Sequence, residues 1–381
     1  MTLPRMNALF IGPLPDPVTG QSLACQVFLE RLQMHCDVRV VNLSKASFKQ
    51  GVDSASRICA VLQIIRQVRA HQGSADVIYF TISESLAGNA KDLLIYAVCF
   101  ARLGKMVVHL HGGAGMRELM RGRWGWLRWL NAFFLRRLGA VVVLGERHRD
   151  VFAKAAPAKR IHVVPNFAQD ELFASRESIE AKFSQLHPLR LLFLSNLLPG
   201  KGHVELLRAF VALEPAVRES LHIDFAGGFE SEPAKQAFLA EIAPYAQLRF
   251  HGTVHGEQKR ALFAAAHVFC LPTYYPYEGQ PISILEAYAA GCAVITTDHS
   301  GIFDTFTDEI NGLAVEKRSV ASLQAALNAI VSAPTRLATM AQHNHQTALR
   351  QYTTARYNEN LLKVVLDVGI PSPLPLSARS C

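Results

Sequence analysis

The sequence predicts an α/β protein of two domains, each a parallel sheet covered by helices, with a cleft between them. Three observations lead there. The chain has 381 residues, more than a single hydrophobic core accommodates and enough for two. Short apolar runs rich in Val, Ile and Leu alternate with longer amphipathic stretches, the pattern of strands buried on both faces and linked by crossover helices. The alternation then restarts after a polar segment at about 168–188.

Taken in order, the strand-like runs of the first half are 7–12, 38–43, 76–80, 105–111, 140–145 and 162–165, with a helix from about Gln21. Those of the second half are 189–196, 221–228, 248–254, 267–272 and 292–298. Helical stretches lie between them at 203–213 and 258–266, and helical periodicity dominates 319–367. The expected domains are 1–168 and 169–351, with a terminal helix at about 352–370 packing back on the first and a Pro-rich tail at 371–381.

Half of the residues are hydrophobic and 18% are charged, which marks a globular chain and excludes a disordered or fibrous one. The seven cysteines are scattered and never form a CxxC pair, so neither a disulfide framework nor a structural zinc site is expected, and a reducing, cytoplasmic compartment fits. The apolar run near the N-terminus is too short for a signal peptide. No window approaches the roughly 20 apolar residues of a membrane span. The net charge of +8 points to an anionic partner: a phosphate-bearing substrate, an acidic membrane surface or nucleic acid.

The chemistry concentrates in 273–298. Glu278 and Glu286 stand eight residues apart across a Gly279-Gln280-Pro281 turn, and a helix begins after Pro281. The first N–H groups of that helix, at Ile282, Ser283 and Ile284, have no intrahelical partner and carry the positive end of its dipole, which makes the turn an anion site suited to phosphate. Ser283-x-x-Glu286 also matches a capping box, in which Glu286 would reach back to the cap N–H.

This segment, read as EGxPxxxxEAxAxG followed by a buried strand, is similar to the nucleotide-sugar site of family 4 retaining glycosyltransferases of the GT-B fold. The resemblance runs in order along nearly the whole chain. It implies two Rossmann-like parallel-sheet domains facing each other across a cleft, with a nucleoside-diphosphate sugar as substrate and no cofactor. It implies catalytic roles for Glu278 near the transferred sugar, for Lys201 in LSNLLPGKGH on the donor diphosphate, and for His111 at the end of the strand KMVVHLH. Glu286 would bind the ribose hydroxyls, a charge-assisted contact that suits a carboxylate. Gly20 and Gln21 in the loop after the first strand would approach the donor. Gly228 and Val254, in strand-end loops, would border the nucleobase.

His109, two residues before His111, reads as a core histidine, and Asn166 as either a turn residue or a ligand contact. Asn196 is a departure: many members carry a second diphosphate-binding Arg there, and an amide cannot replace that charge. The alternative this raises is a sugar-nucleotide-binding protein without turnover. There is no DxD motif, and His343 and His345 lack a carboxylate or Cys cluster, so no metal site is expected.

The stretch Arg117–Arg137 holds all three tryptophans among many arginines, which suits either an anionic membrane interface or an ordinary helix with a solvated Arg face. The first reading would place the protein at the inner face of the plasma membrane, with a glycan or polyprenyl-linked acceptor of surface polysaccharide or lipopolysaccharide assembly. GPLPDPVTG lacks the GxGxxG of a dinucleotide oxidoreductase, and no nucleic-acid-binding motif is present.

Overall fold

The structure is a computed structural model that describes residues 5–44, 54–122 and 125–370. It contains two six-stranded parallel sheets. The first is built from β1 (Met6–Gly12), β2 (Cys36–Asn42), β3 (Val77–Thr81), β4 (Met106–Leu110), β5 (Ala140–Val143) and β6 (Ile161–Val163), in the order β2-β1-β3-β4-β5-β6. The second has β7 (Leu189–Leu194), β8 (Leu221–Ala226), β9 (Leu248–Phe250), β10 (Val268–Leu271), β11 (Ala293–Thr297) and β12 (Gly312–Val315), in the order β12-β11-β10-β7-β8-β9. The strand order reverses between β1 and β3 and again between β7 and β10. Open α/β sheets bind ligands at such switch points, beyond the carboxyl ends of the strands.

Alternation within β1 shows why these runs become interior strands. Leu9 and Ile11 enter one apolar cluster and Ala8 and Phe10 the other, so both faces of the sheet are covered. The Ala8 face is closed by the helices Gly20–His35 and Thr354–Gly369. The second of these starts where Thr353 Oγ1 accepts the Arg356 N–H at 3.3 Å. It buries Tyr357, Leu361, Leu362, Val364 and Val365, residues of one helical face, against the first sheet. The tail at 371–381 lies outside the described residues.

The chain crosses between the two sheets twice, and the crossings run side by side. Ala168 N–H donates to Tyr352 O at 2.8 Å, and Ala168 bridges Thr353.

Two elements escaped the sequence reading. β12 is a four-residue edge strand too short to show a period. The polar segment holds the helix Arg176–Phe183, capped by the Ser175 hydroxyl and buried at Ile179 alone. The polar stretch with His343 and His345 is more interior than it reads: Asn344 bonds Asn311 and the Cys292 carbonyl, and His345 Nδ1 lies 2.8 Å from Ala289 O.

The two domains meet along the cleft. A Cβ on Gly279 would lie 2.1 Å from His111 O, so only glycine allows this approach. His148 Nε2 lies 3.1 Å from Ser300 Oγ, and that hydroxyl donates to Glu278 O at 2.6 Å. Ser300 holds φ at +51°, a conformation costly for a residue with a Cβ, in return for these two bonds. Arg147 N–H donates to both Asp304 oxygens at 3.1 and 3.2 Å, and its guanidinium pairs with Asp298.

Two outcomes follow from this packing. Leu361→Ala removes a fully buried side chain from the first domain's core and lowers stability by about 3 kcal/mol in denaturant titration. Gly279→Ala places a methyl group against His111 O and gives a larger radius of gyration in solution scattering than the wild type, with secondary structure unchanged by circular dichroism.

Candidate functional site

The carboxyl ends of β7 and β10, either side of the second switch point, carry the two principal side chains. After β7 the loop passes through Gly200 and Gly202, at φ of +93° and +90°. A Cβ on Gly202 would lie 2.5 Å from Pro272 O, so the loop packs directly on the chain leaving β10. That packing brings Lys201 Nζ to 2.7 Å from Glu278 Oε2, which Thr273 Oγ1 also bonds at 3.0 Å. The ammonium lies 4.7 Å from the centre of the Tyr275 ring. Both charged side chains are mostly buried, so each offsets the cost of taking the other out of water.

Immediately beyond Glu278, Gly279, Gln280 and Pro281 lead into the helix Ile282–Ala289. Pro281 is its N-cap and supplies no side-chain bond, so the capping box does not form. Ser283 is the helix's second residue, and Glu286 turns away from the helix start to Lys259, whose Nζ lies 2.6 Å from Glu286 Oε1. The same ammonium donates to Gln169 Oε1 at 2.7 Å. Glu286 is 1% exposed. Burial raises its pKa above the usual carboxylate value, and Lys259 opposes that rise. Glu278 and Glu286 thus hold separate lysines and share no partner.

The first domain supplies the facing wall. Gly20 and Gln21 are not loop residues: they open the helix Gly20–His35, whose start is fixed by a reciprocal bond pair between Thr19 and Ser22. A Cβ at Gly20 would lie 3.8 Å from Ile282 Cδ1, so the start of this helix approaches the start of the helix after Pro281. His111 directly follows β4. Its ring packs on His109 with centroids 4.0 Å apart, and neither ring nitrogen has a hydrogen-bond partner among the described residues. Burial lowers its pKa to about 3, so it is neutral at physiological pH. His109 is fully buried, with Nδ1 2.7 Å from Tyr79 Oη.

The remaining strand ends gather beside this wall. Asn196 is exposed after β7. Leu197 N–H donates to Gly228 O at 2.8 Å, and Gly227 N–H to Gly252 O at 2.8 Å, which aligns the loops after β7, β8 and β9. Val254 is buried just before the helix that carries Lys259. Asn166 is a domain tie: its N–H and Nδ2 donate to Gln280 Oε1 and O at 2.6 and 2.8 Å.

Sequence reasoning missed Lys259, His148 and Glu84. Glu84 lies three residues beyond β3, where the strand-end rule could have found it. Gly115 N–H donates to its Oε2 at 3.0 Å. Burial raises its pKa to about 7, against the lowering effect of the Gly115, Gly113 and Met116 N–H groups, and Glu278 adds to the rise. Lys259 gave no signal, because a lysine in an amphipathic helix ordinarily faces solvent.

Comparison with known proteins agrees with this architecture. Residues 175–348 match the family described as Glycosyl transferases group 1. The D-inositol 3-phosphate glycosyltransferase of Geodermatophilus obscurus is 29% identical over 150 residues, 37% of this chain and 33% of that protein. The GDP-mannose-dependent alpha-(1-6)-phosphatidylinositol monomannoside mannosyltransferase of Mycobacterium tuberculosis is 28% identical over 201 residues, 49% of this chain and 52% of that protein. The chain therefore spans about a third to a half of the length of these curated relatives.

Among solved structures, Anabaena HepE in complex with UDP and glucose superposes with a TM-score of 0.70 at 16% identity, covering 95% of this chain and all of that one. WaaG, a glycosyltransferase involved in lipopolysaccharide biosynthesis, gives 0.67 at 15% identity, covering 95% and 99%. The two parallel sheets and these neighbours establish the GT-B fold, and within it residues 175–348 form the segment that matches the glycosyl transferases of group 1.

Proposed function

We propose that this protein is a retaining, metal-independent glycosyltransferase of the family 4 type, moving a hexose-type sugar from a nucleoside-diphosphate sugar to a glycan or lipid-linked glycan. The observation that carries the reading is the Lys201–Glu278 pair, set at the second switch point beside the start of the helix Ile282–Ala289. The relatives' names, which specify glycosyl and mannosyl transfer to inositol-based acceptors, support the hexose and lipid-linked parts of it.

In this mechanism the bond between the anomeric carbon and the diphosphate oxygen breaks, and its electron pair stays on the diphosphate. Lys201 and the N–H groups at Ile282 and Ser283 stabilise that growing charge, whereas the Ile284 N–H, expected to be free, is held by Pro281 O at 3.2 Å. Glu278 orients the sugar and supports the positive ring. The acceptor hydroxyl attacks the anomeric carbon on the face the diphosphate leaves and passes its proton to the departing diphosphate oxygen. His111, being neutral, serves the donor sugar as a hydrogen-bonding group and not as a cation.

Asn196 favours one alternative, sugar-nucleotide binding without turnover. An exposed amide stands where the resemblance expects a guanidinium, and Lys201 is already engaged by Glu278.

We place the protein in the cytoplasm, at the inner face of the plasma membrane. Trp126 and Trp129 are 63% and 66% exposed on the helix Gly125–Leu135, next to exposed Arg128, Arg136 and Arg137. The rest of the arginine stretch does not join them: Arg117 and Arg121 pair with Asp150 at 2.9 and 2.7 Å, and Arg123 and Trp124 lie outside the described residues. Among the described residues, no helix is long and apolar enough to cross a membrane.

Two measurements test this reading. With UDP-, GDP- and ADP-sugars, chelator and a lipid-linked acceptor, the wild type releases nucleoside diphosphate from one donor. Lys201→Ala lowers that rate by about 100-fold, and Glu286→Ala abolishes it; binding without release, even with acceptor extracts, identifies the non-turnover alternative. The wild type also sediments with vesicles of acidic lipid and Trp126→Ala/Trp129→Ala does not, whereas a wild type that stays in the supernatant refutes membrane contact.

A further inference from the structure

We propose that Lys259 is a positioning residue of the nucleotide site: its ammonium holds the Glu286 carboxylate for the ribose hydroxyls while anchoring it to the strap, residues 169–172, that leaves the first domain after Ala168. This inference rests on the reading of Glu286 as a ribose ligand and extends it to a residue outside the EGxPxxxxEA segment.

The geometry is unusual for a surface-type lysine. Lys259 sits in the first half of the helix Gly256–Ala265, yet its side chain is only 14% exposed. Its Nζ reaches Glu286 Oε1 at 2.6 Å and Gln169 Oε1 at 2.7 Å. One ammonium thereby joins three segments: the helix after β9, the strap leaving the first domain, and the helix that starts at Pro281. Glu286 Oε2 takes no hydrogen bond from the described residues. Lys259 therefore occupies one carboxylate oxygen and leaves the other for a ligand.

Electrostatics make this arrangement necessary for ribose recognition. Two charged groups face Glu286: Lys259, and Glu171 on the strap, whose negative charge pushes the Glu286 pKa up. Without Lys259, burial and Glu171 act in the same direction and favour the protonated acid. A protonated carboxyl offers fewer acceptor sites to a diol and no charge assistance. The sign follows: a raised carboxyl pKa makes nucleotide affinity rise with pH, and removing Lys259 moves that rise upward in pH.

The test uses the full chain and calorimetric titration with UDP, GDP and ADP and their 2′,3′-dideoxy forms, between about pH 6 and about pH 8.5. The wild type prefers the ribonucleotide of its best ligand throughout the range. Lys259→Met loses about tenfold affinity for that ribonucleotide at the acid end, recovers most of it at the alkaline end, and at the acid end no longer separates it from the dideoxy form. Comparing variant with wild type cancels titration of the nucleotide's own phosphate. Lys259→Arg restores both properties, and Lys259→Gln, which keeps the hydrogen bonds without the charge, behaves like Lys259→Met and serves if that variant does not fold. A wild type that binds no member of the panel overturns the nucleotide-site reading itself. A wild type that binds with ribose preference, beside a folded Lys259→Met or Lys259→Gln with the same preference and pH profile, overturns the role of Lys259 alone.

Discussion

The candidate site depends on an ion pair taken out of water. Lys201 and Glu278 reach each other from the ends of strands distant in sequence but adjacent at the reversal of the second sheet, and neither is stable at that depth unpaired. Their meeting needs the close packing of the loop after β7 on the chain leaving β10, which Gly202 permits. The same pairing leaves the ammonium beside the open start of a helix, where an arriving anion can share it. Under the proposed function, a group that satisfies a buried carboxylate is thus already in place for a diphosphate.

Glu286 repeats the device with Lys259, and the two carboxylates remain electrically separate because each has its own cation. Across the cleft the first domain contributes hydrogen-bonding groups and helix ends, with His111 neutral and Glu84 about half ionised at pH 7. The two lysines that pair with Glu278 and Glu286 both belong to the second domain.

Much of this was legible in the sequence, for identifiable reasons. Strands buried on both faces leave apolar runs that cannot be mistaken for surface, so every interior strand of both sheets appeared; β12, four residues long at an edge, did not. The segment around Glu278 and Glu286 stood out because a Pro before a helix and a glycine beside it constrain the backbone. Spacing alone could not choose between a capping box and a carboxylate turned away from the helix start. The choice was made by Pro281 taking the cap position and by a lysine 27 residues earlier in the chain. Lys259, His148 and Asn166 act through contacts between segments far apart, and no local pattern encodes a partner of that kind. The helix expected from about Gln21 starts one residue earlier, since the Thr19–Ser22 cap opens it at Gly20, so neither residue stays in the loop where the resemblance put them.

The doubled crossing between the domains bears on how the chain acquires its shape during synthesis. The first domain's sheet is complete by β6, but one face of it is covered only in part, by the helix Gly20–His35, until the helix Thr354–Gly369 arrives, after the whole second domain has left the ribosome. For that interval the apolar part of β3 and β4 that the helix Thr354–Gly369 covers has no cover of its own. The half made first is therefore the half finished last, and the second domain must fold quickly enough to deliver the missing piece before another apolar surface takes its place.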